Sequence, residues 1–158
     1  MGKTDTNTLL DFYNMLLEAE RAGVTVLSEM NKQVEDQRLK PILEKFLRDE
    51  GVNCRILVSL IHDLNAKPSD KTGAFVDKIR ALDNLDEKIQ LLIRGQSWVA
   101  RKIREFQSHL LTGSAYLFMD AIKVQHEENV DTLKKIFRWI EIHWFLYLTY
   151  SSCIQTIK

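Results

Sequence analysis

A chain of 158 residues can bury one real core but not two comfortable ones, and 45% apolar with 28% charged residues is an ordinary globular composition. Lysine plus arginine and aspartate plus glutamate balance at 22 each, so nothing in the charge argues for a nucleic-acid partner or a membrane-steering field. The two cysteines, Cys54 and Cys153, lie far apart and the N-terminal residues read as no secretory signal, so the expected setting is the reducing cytoplasm rather than a disulfide scaffold.

Residues 4–8, Thr-Asp-Thr-Asn-Thr, offer capping oxygens ahead of a first helix. Its stripe, Leu9, Tyr13, Leu16, Gly23, Leu27 and Met30, recurs at helical spacing, with Glu20 inside it and Glu18 on the opposite side. A mid-helix glycine costs about 1 kcal/mol against alanine, so Gly23 signals a close neighbour. A second helix is expected from near Asp36, with Pro41 tolerable in its first turn. It turns Leu39, Ile42, Leu43, Phe46, Leu57, Leu60, Ile61 and Leu64 inward, and Glu50 and Asn53 fall within that stripe. Cys54 sits at its margin, while His62 faces away.

Asn65 to Thr72 carries turn signals and marks a long crossover, within which Gly73 to Leu82 is expected to form a short helix. Asp83 or Asn84 then caps a third long helix that turns Leu85, Ile89, Leu92, Ile93, Ala100, Ile103 and Phe106 inward, with Gln96 at the centre. Trp98 is expected to face outward, to be covered by the crossover or by a partner chain. After Thr112-Gly113-Ser114, a fourth helix places Phe118, Ile122, His126, Asn129, Leu133 and Ile136 on one face. From Trp139 to Tyr150 the chain turns apolar and aromatic, too short and too polar to span a bilayer, and its alternation fits a strand as well as a helix. Residues 5–140 are therefore read as an all-α four-helix bundle and 141–158 as an atypical tail.

Each long helix thus breaks its apolar stripe at mid-length. Buried polar groups without partners cost about 1–3 kcal/mol each, so the interruptions are expected to face one another as a layer across the bundle's waist. Dinuclear carboxylate sites in such bundles take one glutamate from each of two helices and Glu-x-x-His from each of the other two. Here the corresponding positions hold Glu20, Glu50-x-x-Asn53, Gln96 and His126-x-x-Asn129, two carboxylates and one imidazole with three amides. That set is too poor in charge for two ions. Glu20, Glu50 and His126 suit one divalent iron, manganese or zinc ion, with Asn53, Gln96 and Asn129 holding those ligands in place. The other reading is metal-free: the same residues form a hydrogen-bond network, and the protein acts by association, as a homodimer through Trp98 or the tail.

The stretches LLEAERAG (16–23), RDEGVNC (48–54), IRGQSWVARKIRE (93–105) and HEENV (126–130) resemble a family of small bacterial ferritin-like proteins of unknown function, DUF6306. Lys67-Pro68-Ser69 followed by Gly73-Ala74-Phe75 is similar to that family's crossover. The resemblance covers about residues 8–138 and implies a ferritin-like four-helix bundle with a long crossover between helices 2 and 3. It also implies inward polar roles for Glu20, Glu50, Gln96 and His126, and it brings no activity with it.

Overall fold

The computed structural model describes the backbone of residues 3–110 and 113–155 and the side chains of residues 6–106 and 113–137. Within them the chain is all-α: α1 (Lys3–Gln33), α2 (Lys40–Asp63), α3 (Phe75–Arg80), α4 (Leu85–Leu110) and α5 (Gly113–Gln155). Four long helices and a short one in the crossover are what the periodicity predicts. Among the described residues, no helix is long and apolar enough to cross a membrane.

The boundaries follow local chemistry. The main chain of Asp36 closes a turn by accepting from the N–H groups of Leu39 and Lys40, at 3.1 and 3.0 Å. Regular helix nevertheless starts only at Lys40, four residues later than the pattern predicts. Pro41 has no N–H to give to the carbonyl of residue 37, so the i→i−4 ladder cannot run through from Asp36. At the other end of α2, Asn65 takes φ +54°, and the N–H groups of Asn65 and Ala66 bond back to the carbonyls of His62 and Ile61. That is a Schellman stop with asparagine in the left-handed position usually given to glycine. Asn84 caps α4, its Oδ1 accepting from the N–H of Asp86 at 2.7 Å.

The longest shared surfaces are α1 with α2 and α4 with α5, two antiparallel hairpins set face to face. The crossover joins them by tracking α1 in its own direction. Asn14 Oδ1 accepts from the N–H of Ser69 (2.7 Å), Glu18 Oε1 from the Ser69 hydroxyl and the Glu18 carbonyl from the N–H of Gly73 (3.0 Å), while Arg80 pairs with Glu29 further along. Arg21 also donates to the Ser69 carbonyl. The chain is thereby returned to the end where α2 began, and α4 runs parallel to α2. Glu18 is thus half of a clamp rather than an idle surface carboxylate. Replacing Asn14 with alanine leaves the half-buried Ser69 N–H unmatched, and a loss of about 1 kcal/mol is expected in urea unfolding, with faster amide exchange over residues 69–73.

The interior divides in two. One apolar cluster gathers Ala22 to Val34, Leu39 to Phe46, the α3 residues Val76 and Ile79, Ile89 to Ile93, and Val130 and Leu133. The other gathers Leu9 to Leu17, Leu57 to Ile61, Val99, Ile103, Met119 and Ile122. Two expected core residues lie outside: Phe118 is 43% exposed and Leu85 38%. Met119, wholly buried, takes the place given to Phe118. Leu85 is the first residue of α4. Past residue 137 the backbone continues as α5 to Gln155, so the strand alternative for the aromatic segment does not hold; its side chains lie outside the described residues.

Candidate metal centre

Between the two apolar clusters lies the polar layer. Glu20, Glu50, Asn53, Gln96, His126 and Asn129 are each no more than 3% exposed. Helical spacing puts them there: Glu20 follows Leu16 by four, Glu50 follows Phe46 by four, Gln96 follows Leu92 by four and His126 follows Ile122 by four, so each inherits its neighbour's inward face.

Gln96 is the hub. Its Nε2 donates to Glu50 Oε1 at 2.5 Å, which turns its oxygen toward α5. That oxygen accepts from Asn129 Nδ2 at 3.2 Å and lies 2.6 Å from His126 Nδ1. An amide oxygen only accepts, so Nδ1 carries the hydrogen and donates. The other ring nitrogen, Nε2, sits 2.8 Å from Glu20 Oε1. One proton holds that contact, whether the ring donates as imidazolium or a protonated Glu20 donates to a neutral ring. Asn53 Nδ2 donates to Glu20 Oε2 (3.1 Å) and to Gln125 Oε1 (2.8 Å), and Lys45 Nζ reaches Asn129 Oδ1 at 3.5 Å. Gln125 and Lys45 escape a reading by periodicity, because both flank their stripes and only their long side chains bend back to the layer.

Glu50 is the group left short. Its Oε2 is buried with no hydrogen-bond partner among the described residues. A Cβ built on Gly23 would lie 1.7 Å from that oxygen, so the glycine is what gives the carboxylate its room. Burial, and next the charge of Glu20, push the Glu50 carboxyl well above the ordinary carboxylate range, against the hydrogen bond from Gln96. The expected ligand set therefore meets in one layer without closing on a single point. Gln96 stands between Glu50 and the Glu20–His126 pair, and among the described residues no three His, Cys, Asp or Glu side chains form a ready-made cage.

A cavity of about 260 Å³ opens onto this layer, with Glu20, Gly23, Glu50, Gln96 and His126 among its lining residues. Trp98 lines it too. The ring is half-buried against the second cluster instead of facing outward, and Phe75 of the crossover helix lines the same space. Of the remaining polar candidates, Glu127 pairs with Arg104, and Lys102 and Arg101 pair with Glu105, all on the solvated face. His62 is exposed.

Cys54 is half-buried against the second cluster. Burial first, then the charges of Glu20 and Glu50, push its thiol up to about 12. It behaves as a small apolar side chain rather than a soft ligand. In a Cys153→Ser background, alkylation of the folded protein by iodoacetamide at pH 8 is expected to be at least about a hundredfold slower than for free cysteine, and to climb through pH 10 without levelling.

A crystal structure from Bacillus anthracis str. Ames, of ferritin-like, diiron-carboxylate proteins, superposes with a TM-score of 0.63 over 89% of this chain and 97% of that one, at 17% identity. The likeness shows the fold: a ferritin-like helical bundle. No curated protein matches the chain. The domain of unknown function DUF6306 matches residues 7–135, and the chain belongs to that family.

Proposed function

We propose that the protein binds one divalent metal ion, iron, manganese or zinc, with Glu20, Glu50 and His126 as its ligands and Asn53, Gln96 and Asn129 holding them. The observation that supports this is Glu50: a fully interior carboxylate with an unmatched oxygen, beside a second carboxylate, in space kept open by a glycine. Two such groups in one buried layer are costly without a cation, and one divalent ion balances both. Two ions would leave positive charge unmatched, so the diiron chemistry named for the Bacillus anthracis structure does not transfer to these donors.

The residues divide the work. Gln96, by accepting from Nδ1, fixes the tautomer that leaves His126 Nε2 as the ligating atom and aims it at Glu20. Asn53 holds Glu20 through Oε2 and so leaves Oε1 on the His126 side. An ion bound there supplies Lewis acidity and, as iron or manganese, one-electron redox capacity. The reducing cytoplasm is the compartment that suits these ions and Cys54.

A specific observation favours the second reading, a metal-free association protein. The run Glu20–His126–Gln96–Glu50 is already linked by hydrogen bonds, and among the described residues no three His, Cys, Asp or Glu side chains are grouped as a metal cage. Elemental analysis of protein purified without chelator separates the two. The ion reading expects about one equivalent per chain, and about 2.7 kcal/mol of added stability when the metal stands at a hundred times its Kd. Neither bound metal nor stabilisation with any of the three ions would leave the network reading standing.

A further inference from the structure

We propose that the cavity above the polar layer binds a small amphipathic carboxylate, an aryl or alkyl acid of about ten non-hydrogen atoms. Its acid group would sit at Lys78 and Arg94 and its apolar body along Phe75 and Trp98. The proposal deepens the ion-binding reading by naming a substrate class, and it rests on that reading only for what the layer does to the bound molecule.

Size comes first. At about 30 Å³ for each water-sized group, 260 Å³ admits roughly nine, near the lower bound for small-molecule sites. Lining chemistry comes next. Phe75, Leu91, Leu92, Trp98 and Val99 make the walls apolar. The Phe75 ring rests against the backbone of α4, where a Cβ on Gly95 would lie 3.0 Å from it, so this aromatic wall depends on the glycine. A pocket of this kind takes an alkyl or aryl body and discriminates by its few polar groups.

Those polar groups are segregated by charge. Glu20 and Glu50 are buried on the layer side, where an anion is repelled and a metal is favoured. Lys78 of α3 and Arg94 of α4 line the same cavity from exposed positions. Neither has an ion-pair partner among the described residues, whereas the neighbouring Arg80 is engaged by Glu29. Two unengaged cations at the solvent side of an apolar cavity select an acid whose body points inward, toward the layer.

The test uses the 158-residue chain, stripped of metal and titrated by calorimetry with octanoate and 3-phenylpropionate, and with 3-phenylpropanol and 3-phenylpropylamine as matched neutral and cationic bodies. Each acid is expected to saturate one site per chain at least tenfold more tightly than the alcohol, with the amine weaker still. The Lys78→Glu/Arg94→Glu variant, changed only at exposed positions, should erase the preference for acids. Ala19→Phe, which fills the cavity from α1, should abolish binding of every probe, and Leu91→Trp repeats that test from α4. Equal affinity for acid and alcohol, absence of saturable binding, or acid binding that survives charge reversal or both filling variants overturns the proposal. Metal content is measured separately, on protein purified without chelator and on the stripped protein reloaded with each of the three ions. Lost acid binding with a full metal equivalent counts against the cavity ligand alone, and acid binding without metal counts against the ion alone.

Discussion

Replacing Glu50 with glutamine is expected to make the metal-free protein more stable at pH 8 and to cost it at least a hundredfold in metal affinity. The amide keeps the shape and can still accept from Gln96 through its oxygen, but it carries no charge into the interior. Burial raises the Glu50 carboxyl in the folded state, whereas in the unfolded chain it titrates near its ordinary value, about 4.3. The sign follows from linkage. Wild-type stability from this group is fully present below the unfolded value and is lost as pH rises toward the folded one, because the unfolded state ionises first. Glutamine has no such loss. Urea unfolding of the two proteins should therefore agree closely at pH 4 and diverge by about 1–3 kcal/mol in favour of the variant at pH 8. Carboxylates away from the layer, such as Asp36, which Arg38 holds down to about 2, contribute equally to both proteins and cancel, whereas the repulsion between Glu20 and Glu50 is absent from the variant and belongs to the difference. Addition of the ion should reverse the order at pH 8, since only wild type gains from it. A constant gap across pH, or a variant that loads metal as well as wild type, would count against Glu50 as a buried charge awaiting a cation.

The second large effect belongs to Gly23. Alanine there would place its methyl carbon on the Glu50 carboxylate, 1.7 Å from Oε2, so the carboxylate must move and its hydrogen bond to Gln96 is lost. Stability itself should change by less than about 1 kcal/mol. Alanine gains about 1 kcal/mol of helix propensity over glycine, while the displaced carboxylate loses a buried hydrogen bond of about the same size. Metal affinity should fall at least a hundredfold, because the ligand no longer occupies its place. A double-mutant cycle isolates the cause. With Glu50→Ala already present, nothing fills the space beside residue 23, and Gly23→Ala should stabilise by about 1 kcal/mol. Equal effects of Gly23→Ala in both backgrounds would mean the glycine serves the helix and not the carboxylate.

How far the chain can be read without coordinates depends on how loudly each residue violates its surroundings. Glu20, Glu50, Asn53, Gln96, His126 and Asn129 interrupt apolar stripes, and each is buried as its phase requires. At Phe118 helical spacing alone does not decide which side chain turns inward. Positions 118 and 119 lie four and three residues before Ile122, and helical spacing allows either to face inward. Hydrophobicity favours phenylalanine, yet the packing takes Met119 and leaves Phe118 exposed. Contacts between elements are written even less plainly. Nothing in the order of residues says that Ser69 will find Asn14 and Glu18, or that Gln125 will reach Asn53, because such pairings depend on where the crossover comes to rest. Gly23 lies between: a mid-helix glycine announces a close approach but does not name Glu50 as what approaches.

The crossover's course has a consequence for how this interior can be altered. Phe75 and Lys78, which line the chamber, belong to a six-residue helix outside the four-helix frame. That helix buries Val76 and Ile79 in the framework's core and packs Phe75, partly buried, against it. Exchanging its outward residues retunes the width and polarity of the entrance while the ion-facing amides and acids stay where they are. The part of the lining that Phe75 and Lys78 supply can thus drift without dismantling the waist, whereas Arg94 and Trp98 share α4 with Gln96 and are tied to it.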